Sequence, residues 1–256
     1  MHPKNTYFYV KSAISSTDCD KIISLGKSYF EEKKKLGYTT GGGTKGEQDK
    51  RYFDKIGKKV LPTNDLTAQE IKEKNLDLVK DTYIRDSEVA WLNDQWIYDL
   101  VMPFVAKSNR LAGWKYDYEN TESFQFTKYG LNQFYGWHND GQGDHNDVFK
   151  RGIPGVTPVN NFDEPEMPYN NNKNFVGLTR KLSVTINLSD PNDYDGGLLK
   201  FDYGPHALKE RYHECVEIKP RGSIIVFPSY VYHQVTPVTR GTRYSLVLWV
   251  LGKPFR

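Results

Sequence analysis

Hydrophobic periodicity along this chain predicts a mainly β protein with supporting helices, a jelly roll that carries its helices on one face. Apolar residues recur at helical spacing within about residues 1–113. From Trp114 onward the period falls to two over about eight short runs, and polar turns rich in Gly, Asn and Asp separate those runs. The expected organisation is one domain over 1–256: helical support over about 1–113 and a β core over about 114–252, with a polar insertion at 141–177. No internal repeat and no linker divides it.

Thr17-Asp18 before Ile22, Ile23 and Leu25 predicts a capped amphipathic helix running to about Phe30. The glycine-rich stretch from Tyr38 to Gly46 lacks the Gly-x4-Gly-Lys-Ser/Thr spacing of a phosphate loop and is expected as a connector. A short helix is expected over 66–75. A longer one runs from Asp94 to about Arg110, with Trp96, Ile97, Leu100, Val101, Phe104 and Val105 at helical spacing, and Pro103 predicts a kink or a break in it.

Strands are then expected at Phe124–Tyr129, at Gln133–Trp137 and at Leu182–Leu188, which alternates cleanly. Turn residues fill Asp190–Gly197. Leu198–Phe201, Cys215–Ile218, Ser223–Phe227 and Tyr244–Val250 complete the set. The 141–177 insertion is too long for a hairpin loop; lying beside the first metal segment, it is a better candidate for a lid than the 39–46 loop.

Composition acts mainly by exclusion. The formal net charge is +3, and residues 1–60 hold 13 Lys/Arg against 7 Asp/Glu, the pattern of a solvated lysine-rich face. No concentrated track of basic and aromatic residues points to nucleic acid. No window approaches the apolar length of a membrane span, and Met-His-Pro-Lys-Asn lacks the apolar core of a signal peptide. Only two cysteines occur, Cys19 and Cys215, which argues against a disulfide framework and suits a cytoplasmic location.

The chemistry concentrates in His138-Asn139-Asp140, His233 and Arg243. On a strand, residues i and i+2 point the same way, so His138 and Asp140 can present an imidazole and a carboxylate to one ion. His233, just beyond the strand ending at Phe227, supplies a third ligand if the roll brings the two segments together. Two histidines and a carboxylate suit ferrous iron and leave positions open, though zinc takes the same donors. His145-Asn146-Asp147 repeats the tripeptide but falls in the polar insertion, whereas the first copy ends an aromatic strand able to hold ligands rigidly. His206 and His213 lie in turn-rich sequence and read as surface or structural residues. Arg243 starts the last strand, on a face shared with Ser245, Val247 and Trp249, and its planar fork suits a carboxylate, of the protein or of a ligand.

Three ordered blocks carry a family resemblance: YGLNQFYGWHND, RKLSVTINLSDPNDYDGGLLKF and GSIIVFPSYVYHQVTPVTRGTRYSLVLW. They resemble the prolyl 4-hydroxylase-like 2-oxoglutarate/iron(II) oxygenases, PKHD-type hydroxylases in particular, over about residues 120–250. Weaker similarity reaches back through RDSEVAWLNDQWIYDLVMPFVAKSNRLAGW. The resemblance implies a cupin-like double-stranded β-helix and ferrous iron held by His138, Asp140 and His233 as catalytic ligands. Arg243 and Tyr129 would hold the distal carboxylate of 2-oxoglutarate, with Ser245 matching the second residue of an Arg-x-Ser pairing. The resemblance further implies dioxygen as the second co-substrate, ascorbate as the reductant, and succinate and carbon dioxide as the co-products. Two departures stand out: Asn132 where glycine is common, and Asn187 where some prolyl hydroxylases place another tyrosine.

Tyr135, Arg180 and Trp249 occupy positions resembling the substrate cleft of that family; the alternative is a surface-paired arginine and two packed aromatics. The favoured reaction is hydroxylation of a peptidyl side chain, proline first. A free amino acid or other small metabolite is the alternative substrate, and a binding module that kept the fold without turnover is the alternative function. The expected partner is therefore a peptide, protein or small molecule, with no membrane and no strong nucleic-acid signal.

Overall fold

The computed structural model describes residues 5–36, 44–45, 52–53, 77–78, 83–141, 175–204 and 211–254. In chain order its strands begin with β1 (Phe8–Val10), β2 (Thr44–Lys45), β3 (Tyr52–Phe53), β4 (Asp77–Leu78), β5 (Tyr83–Asp86) and β6 (Glu88–Leu92). They continue with β7 (Asn120–Thr121), β8 (Phe124–Tyr129), β9 (Phe134–His138), β10 (Thr179–Asn187), β11 (Tyr194–Gly196) and β12 (Leu199–Asp202). The last are β13 (Tyr212–Glu214), β14 (Ile224–Pro228), β15 (Tyr232–Val235), β16 (Val238–Gly241) and β17 (Arg243–Gly252). The helices are α1 (Ser16–Lys35) and α2 (Gln95–Leu111).

Two antiparallel sheets form the jelly roll. The major sheet runs β1-β14-β10-β17-β8-β6, with β7 paired to the end of β17; the minor sheet runs β13-β12-β15-β9-β5-β2. Alternation decides what each face of the major sheet meets. Phe124, Phe126, Leu182, Val184, Ile186, Ile224, Val226, Leu246, Leu248 and Val250 point outward into one core with Ile22 and Phe30 of α1 and Ile97, Val101 and Val105 of α2. Each such fully buried side chain contributes roughly 1.5–3 kcal/mol. That layer allows the inner face to carry polar groups (Gln125, Thr127, Ser183, Asn187, Arg243 and Ser245) that would destabilise the fold by themselves. Between the sheets, Leu199 and Phe201 pack with Ile225 and Phe227 in a second cluster.

The local signals account for most element limits. The cap of α1 is Ser15, two residues before the expected Thr17, because Ser15 Oγ accepts the Asp18 N–H at 3.1 Å and donates to Asp18 Oδ2 at 2.7 Å. It runs to Lys35, past the expected Phe30, and Lys33, Lys34 and Lys35 lie where the helix dipole favours cations. The helix α2 passes through Pro103 without a break. Pro103 lies on the solvent-exposed side of the helix, opposite the buried face of Ile97, Val101 and Val105 that holds both halves to the core.

Two expectations need correction. Cys215–Ile218 is not a strand: β13 ends at Glu214, and Val216–Ile218 is a 3-10 turn. Its buried residues, Cys215 and Ile218, are three apart, with Val216 exposed between them, which is not the alternation of a strand. The first 113 residues also supply more than helices, since β1 and β6 extend the major sheet and β5 extends the minor one. Only Ser87 separates β5 from β6, so the chain passes from one sheet to the other in a single residue. The expected helix at 66–75, most of the 39–46 loop, the greater part of the 141–177 insertion, the second His-Asn-Asp copy and His206 lie outside the described residues. Among the described residues, no helix is long and apolar enough to cross a membrane.

Candidate metal centre and active site

Antiparallel pairing of β15 with β9 sets His233 directly opposite His138, with their ring centroids 4.2 Å apart. Asp140 lies two residues past His138, and its backbone N–H donates to Ser229 O at 2.9 Å. One carboxylate oxygen of Asp140 is 3.6 Å from His138 Nε2, and the other is 3.6 Å from His233 Nε2. The three donor atoms all lie within 4.8 Å of one another, and all three side chains are buried.

Backbone carbonyls orient both imidazoles. His138 Nδ1 lies 2.7 Å from Gly136 O, and His233 Nδ1 lies 2.9 Å from Val231 O. A carbonyl can only accept, so each Nδ1 carries a proton and each Nε2 is the atom turned toward Asp140. Burial, reinforced by His138, lowers the His233 pKa to about 4, and the ring stays neutral near pH 7. Burial opposes ionisation of Asp140, but His233, His138 and Arg180 outweigh it and hold the carboxyl well below its usual range. Two imidazoles and a carboxylate, buried and converging on one point, fit a divalent metal ion.

Arg243 stands opposite Tyr129 across β17 and β8, its guanidinium carbon 5.7 Å from the tyrosine ring centroid. It is 1% exposed, its Nε has no hydrogen-bond partner, and no carboxylate of the described residues pairs with it. An uncompensated guanidinium is costly to bury unless an anion joins it. Gly197 makes room for it: a Cβ there would stand 2.8 Å from Arg243 Cδ. One pocket gathers Tyr129, Tyr135, His138, Asp140, His233, Arg243, Ser245 and Trp249, walled on the apolar side by Leu199, Phe227, Val235 and Val247.

Arg180 is engaged within the protein. Its Nε and Nη2 donate to the two oxygens of Glu122 at 2.5 and 2.7 Å, and its Nη1 donates to Asp140 O at 3.2 Å. Its guanidinium also lies 4.0 Å over the Trp249 ring. Trp249 keeps a buried indole N–H without a partner. Tyr135 lies flat on His138, and burial pushes its phenol pKa up to about 12 against the opposing pull of Arg85.

The two departures from the family pattern acquire physical readings. Asn132 has φ +62°, the left-handed conformation that glycine adopts freely and asparagine tolerates. Asn187 donates to Ser189 O at 3.1 Å and Lys219 O at 2.8 Å, so its amide ties down the end of β10. Outside this group, His213 bonds the Tyr7 hydroxyl at 2.9 Å, a structural position.

Sequence reasoning missed Glu122, Gln125, Arg85 and Gly197. Gln125 was within reach, because alternation along β8 puts it on the face of Tyr129. Glu122 and Arg85 gave no signal, since Arg180 is 58 residues from Glu122 and Gln125 is 40 residues from Arg85.

Residues 124–251 match the family model described as the 2OG-Fe(II) oxygenase superfamily. A PKHD-type hydroxylase of Paraburkholderia phytofirmans is 44% identical over 79 residues, 30% of this chain and 31% of that protein. The match thus spans about a third of that relative's length. Among solved structures, the viral collagen prolyl hydroxylase from Paramecium Bursaria Chlorella virus-1, in its 2OG complex, is similar with a TM-score of 0.51 and 16% identity over 97% of each chain. A prolyl hydroxylase from Trichoplax adhaerens, in complex with a hypoxia inducible factor oxygen degradation domain peptide fragment, is similar with a TM-score of 0.52 and 14% identity. That likeness covers 96% of this chain and 83% of that one. At such identities the structural likeness shows the shared fold.

Proposed function

The chain belongs to the 2OG-Fe(II) oxygenase superfamily, and from that premise we propose that it is an Fe(II)- and 2-oxoglutarate-dependent dioxygenase hydroxylating a peptidyl side chain, with proline the favoured target. The observation that carries this reading is a pair of complementary sites in one pocket: three converging metal donors and a buried guanidinium with no carboxylate of the described residues paired to it.

His138, Asp140 and His233 would hold the iron on one face and leave the others open. When bound, iron with dioxygen supplies the oxidising chemistry, in which 2-oxoglutarate becomes succinate and carbon dioxide while one oxygen atom enters the substrate. The protein's own task is placement. The planar fork of Arg243 takes the distal carboxylate of 2-oxoglutarate, and the Tyr129 and Ser245 hydroxyls donate to the same group. Leu199, Phe227, Val235 and Val247 keep water from the co-substrate. Tyr135 and Trp249 border the space left for substrate, and Arg180 backs the Trp249 ring. Ascorbate is the expected reductant between turnovers.

Peptidyl proline is favoured because the PKHD-type relative is a hydroxylase and the two structural neighbours are prolyl hydroxylases, one bound to a peptide. The test is succinate release with Fe(II), ascorbate and 2-oxoglutarate across a panel of proline-containing peptides and free amino acids. Mass spectrometry then identifies any product one oxygen atom heavier. Iron-dependent succinate coupled to peptide oxidation supports the proposal. Coupling to a free amino acid instead overturns the substrate, and absence of iron-dependent succinate with every substrate favours a binding module.

A further inference from the structure

The hydrogen bond from His138 Nδ1 to Gly136 O fixes which nitrogen faces Asp140, but a ring tethered at one atom can still rock about that bond. Tyr135 restricts this motion. Its ring and the His138 imidazole stack with centroids 3.5 Å apart and planes 12° from parallel. The guanidinium carbon of Arg85 lies 4.9 Å from the centroid of the same tyrosine. The imidazole already fills one face at contact distance, so Arg85 takes the other.

Arg85 is itself tethered. Nε donates to Ser87 Oγ at 2.8 Å, Nη1 to Gln125 Oε1 at 3.1 Å and Nη2 to Thr127 Oγ1 at 3.4 Å. Gln125 Nε2 donates to Thr127 Oγ1 at 3.0 Å and closes the network. Arg85 stands opposite Tyr135 between β5 and β9 of the minor sheet, whereas Gln125 and Thr127 belong to β8 of the major one. The guanidinium therefore braces one sheet against the other behind the metal donors. It is 7% exposed, and among the described residues no carboxylate forms an ion pair with it. A structural arginine is usually buried against a carboxylate. Here the compensation comes from neutral oxygens and an aromatic face, the arrangement that keeps a planar cation flat on a ring.

We propose that Arg85 is a positioning residue for the metal centre: acting through Tyr135, it holds the His138 ring at the angle the metal requires. The inference rests on the iron-site reading above and goes beyond it. It also divides Tyr135 into two parts, a ring that supports His138 and a hydroxyl that lines the pocket. Groups that orient a metal-bound histidine commonly change metal affinity by about 10–100-fold when removed.

Cobalt(II) titration of the full chain, read by calorimetry and by visible absorption, tests this without turnover. Arg85→Met and Tyr135→Leu should each weaken Co(II) binding by about 10–100-fold and alter the visible bands. Tyr135→Phe, which keeps the ring, should retain the wild-type affinity and spectrum. Arg85→Lys should recover only part of the loss, because an ammonium cannot hold the three tethers. Thermal unfolding of each variant establishes that it is folded.

A folded Arg85→Met with wild-type affinity and spectrum overturns the proposal. If Arg85→Met does not fold, wild-type affinity in Tyr135→Leu overturns it instead. Equal damage from Tyr135→Phe and Tyr135→Leu would also overturn it, by assigning the effect to the hydroxyl. A wild-type protein that binds no cobalt overturns the iron-site reading itself, a result distinct from failure of the variants.

Discussion

Two arginines border the candidate site, and they differ in what holds them. Arg180 is bonded to both oxygens of Glu122, to Asp140 O and to the face of Trp249, so its geometry is complete without a ligand. Arg243 has a buried Nε without a hydrogen-bond partner, which an anionic ligand would satisfy. Their variants should therefore fail differently. Arg243→Ala should raise the 2-oxoglutarate concentration needed for half-maximal turnover while leaving Co(II) affinity near wild type; an unchanged requirement would refute the clamp. Glu122→Ala strands the Arg180 cation in a buried position and should cost about 3–5 kcal/mol in denaturant unfolding. The double variant Glu122→Ala, Arg180→Met should lose less stability than the sum of the two single changes, because neither charge is then left alone. A purely additive result would mean that the pair is solvated. The sequence placed Arg180 near the cleft but gave no sign of Glu122, which is 58 residues away along the chain.

At the scale of elements, α1 meets the major sheet at one close contact. A Cβ on Gly26 would stand 2.2 Å from the Phe126 ring, so the helix seats on β8 only because that position has no side chain. Gly26→Val should destabilise the protein by about 1–3 kcal/mol, as overpacked core positions do, and a midpoint of urea unfolding at or above wild type would contradict it. The contact bears on the site because Phe126 lies on β8 between Gln125 and Thr127, two of the three residues that tether Arg85. The strands that carry the site were legible where alternation was strict, as in β10 and β17. Alternation also placed Arg243, Ser245 and Trp249 on one face before any coordinates. Pairing order was not legible, since nothing local specifies that β15 lies beside β9. The turn at Val216–Ile218 read as a strand because a short apolar run carries little information about its period.

For the whole molecule, a metal and a co-substrate held by the folded site alone should both raise the melting temperature. At a free concentration of 100 times its Kd, a ligand adds about 2.7 kcal/mol. Differential scanning fluorimetry should show a rise with Co(II), a further rise with 2-oxoglutarate, and neither metal-dependent shift in His138→Ala. A full response in that variant would remove His138 from the metal set. The crossing at Ser87 has a consequence for anyone wishing to transplant this centre. The stretch that matches the family model begins at residue 124, but β6 caps one sheet beyond β8, and β5 covers β9 in the other. A graft cut at the family boundary would leave two raw seams, one on each side of the metal donors, and would discard the arginine that braces them. The portable unit is therefore longer than the recognisable one, and it starts upstream of Tyr83.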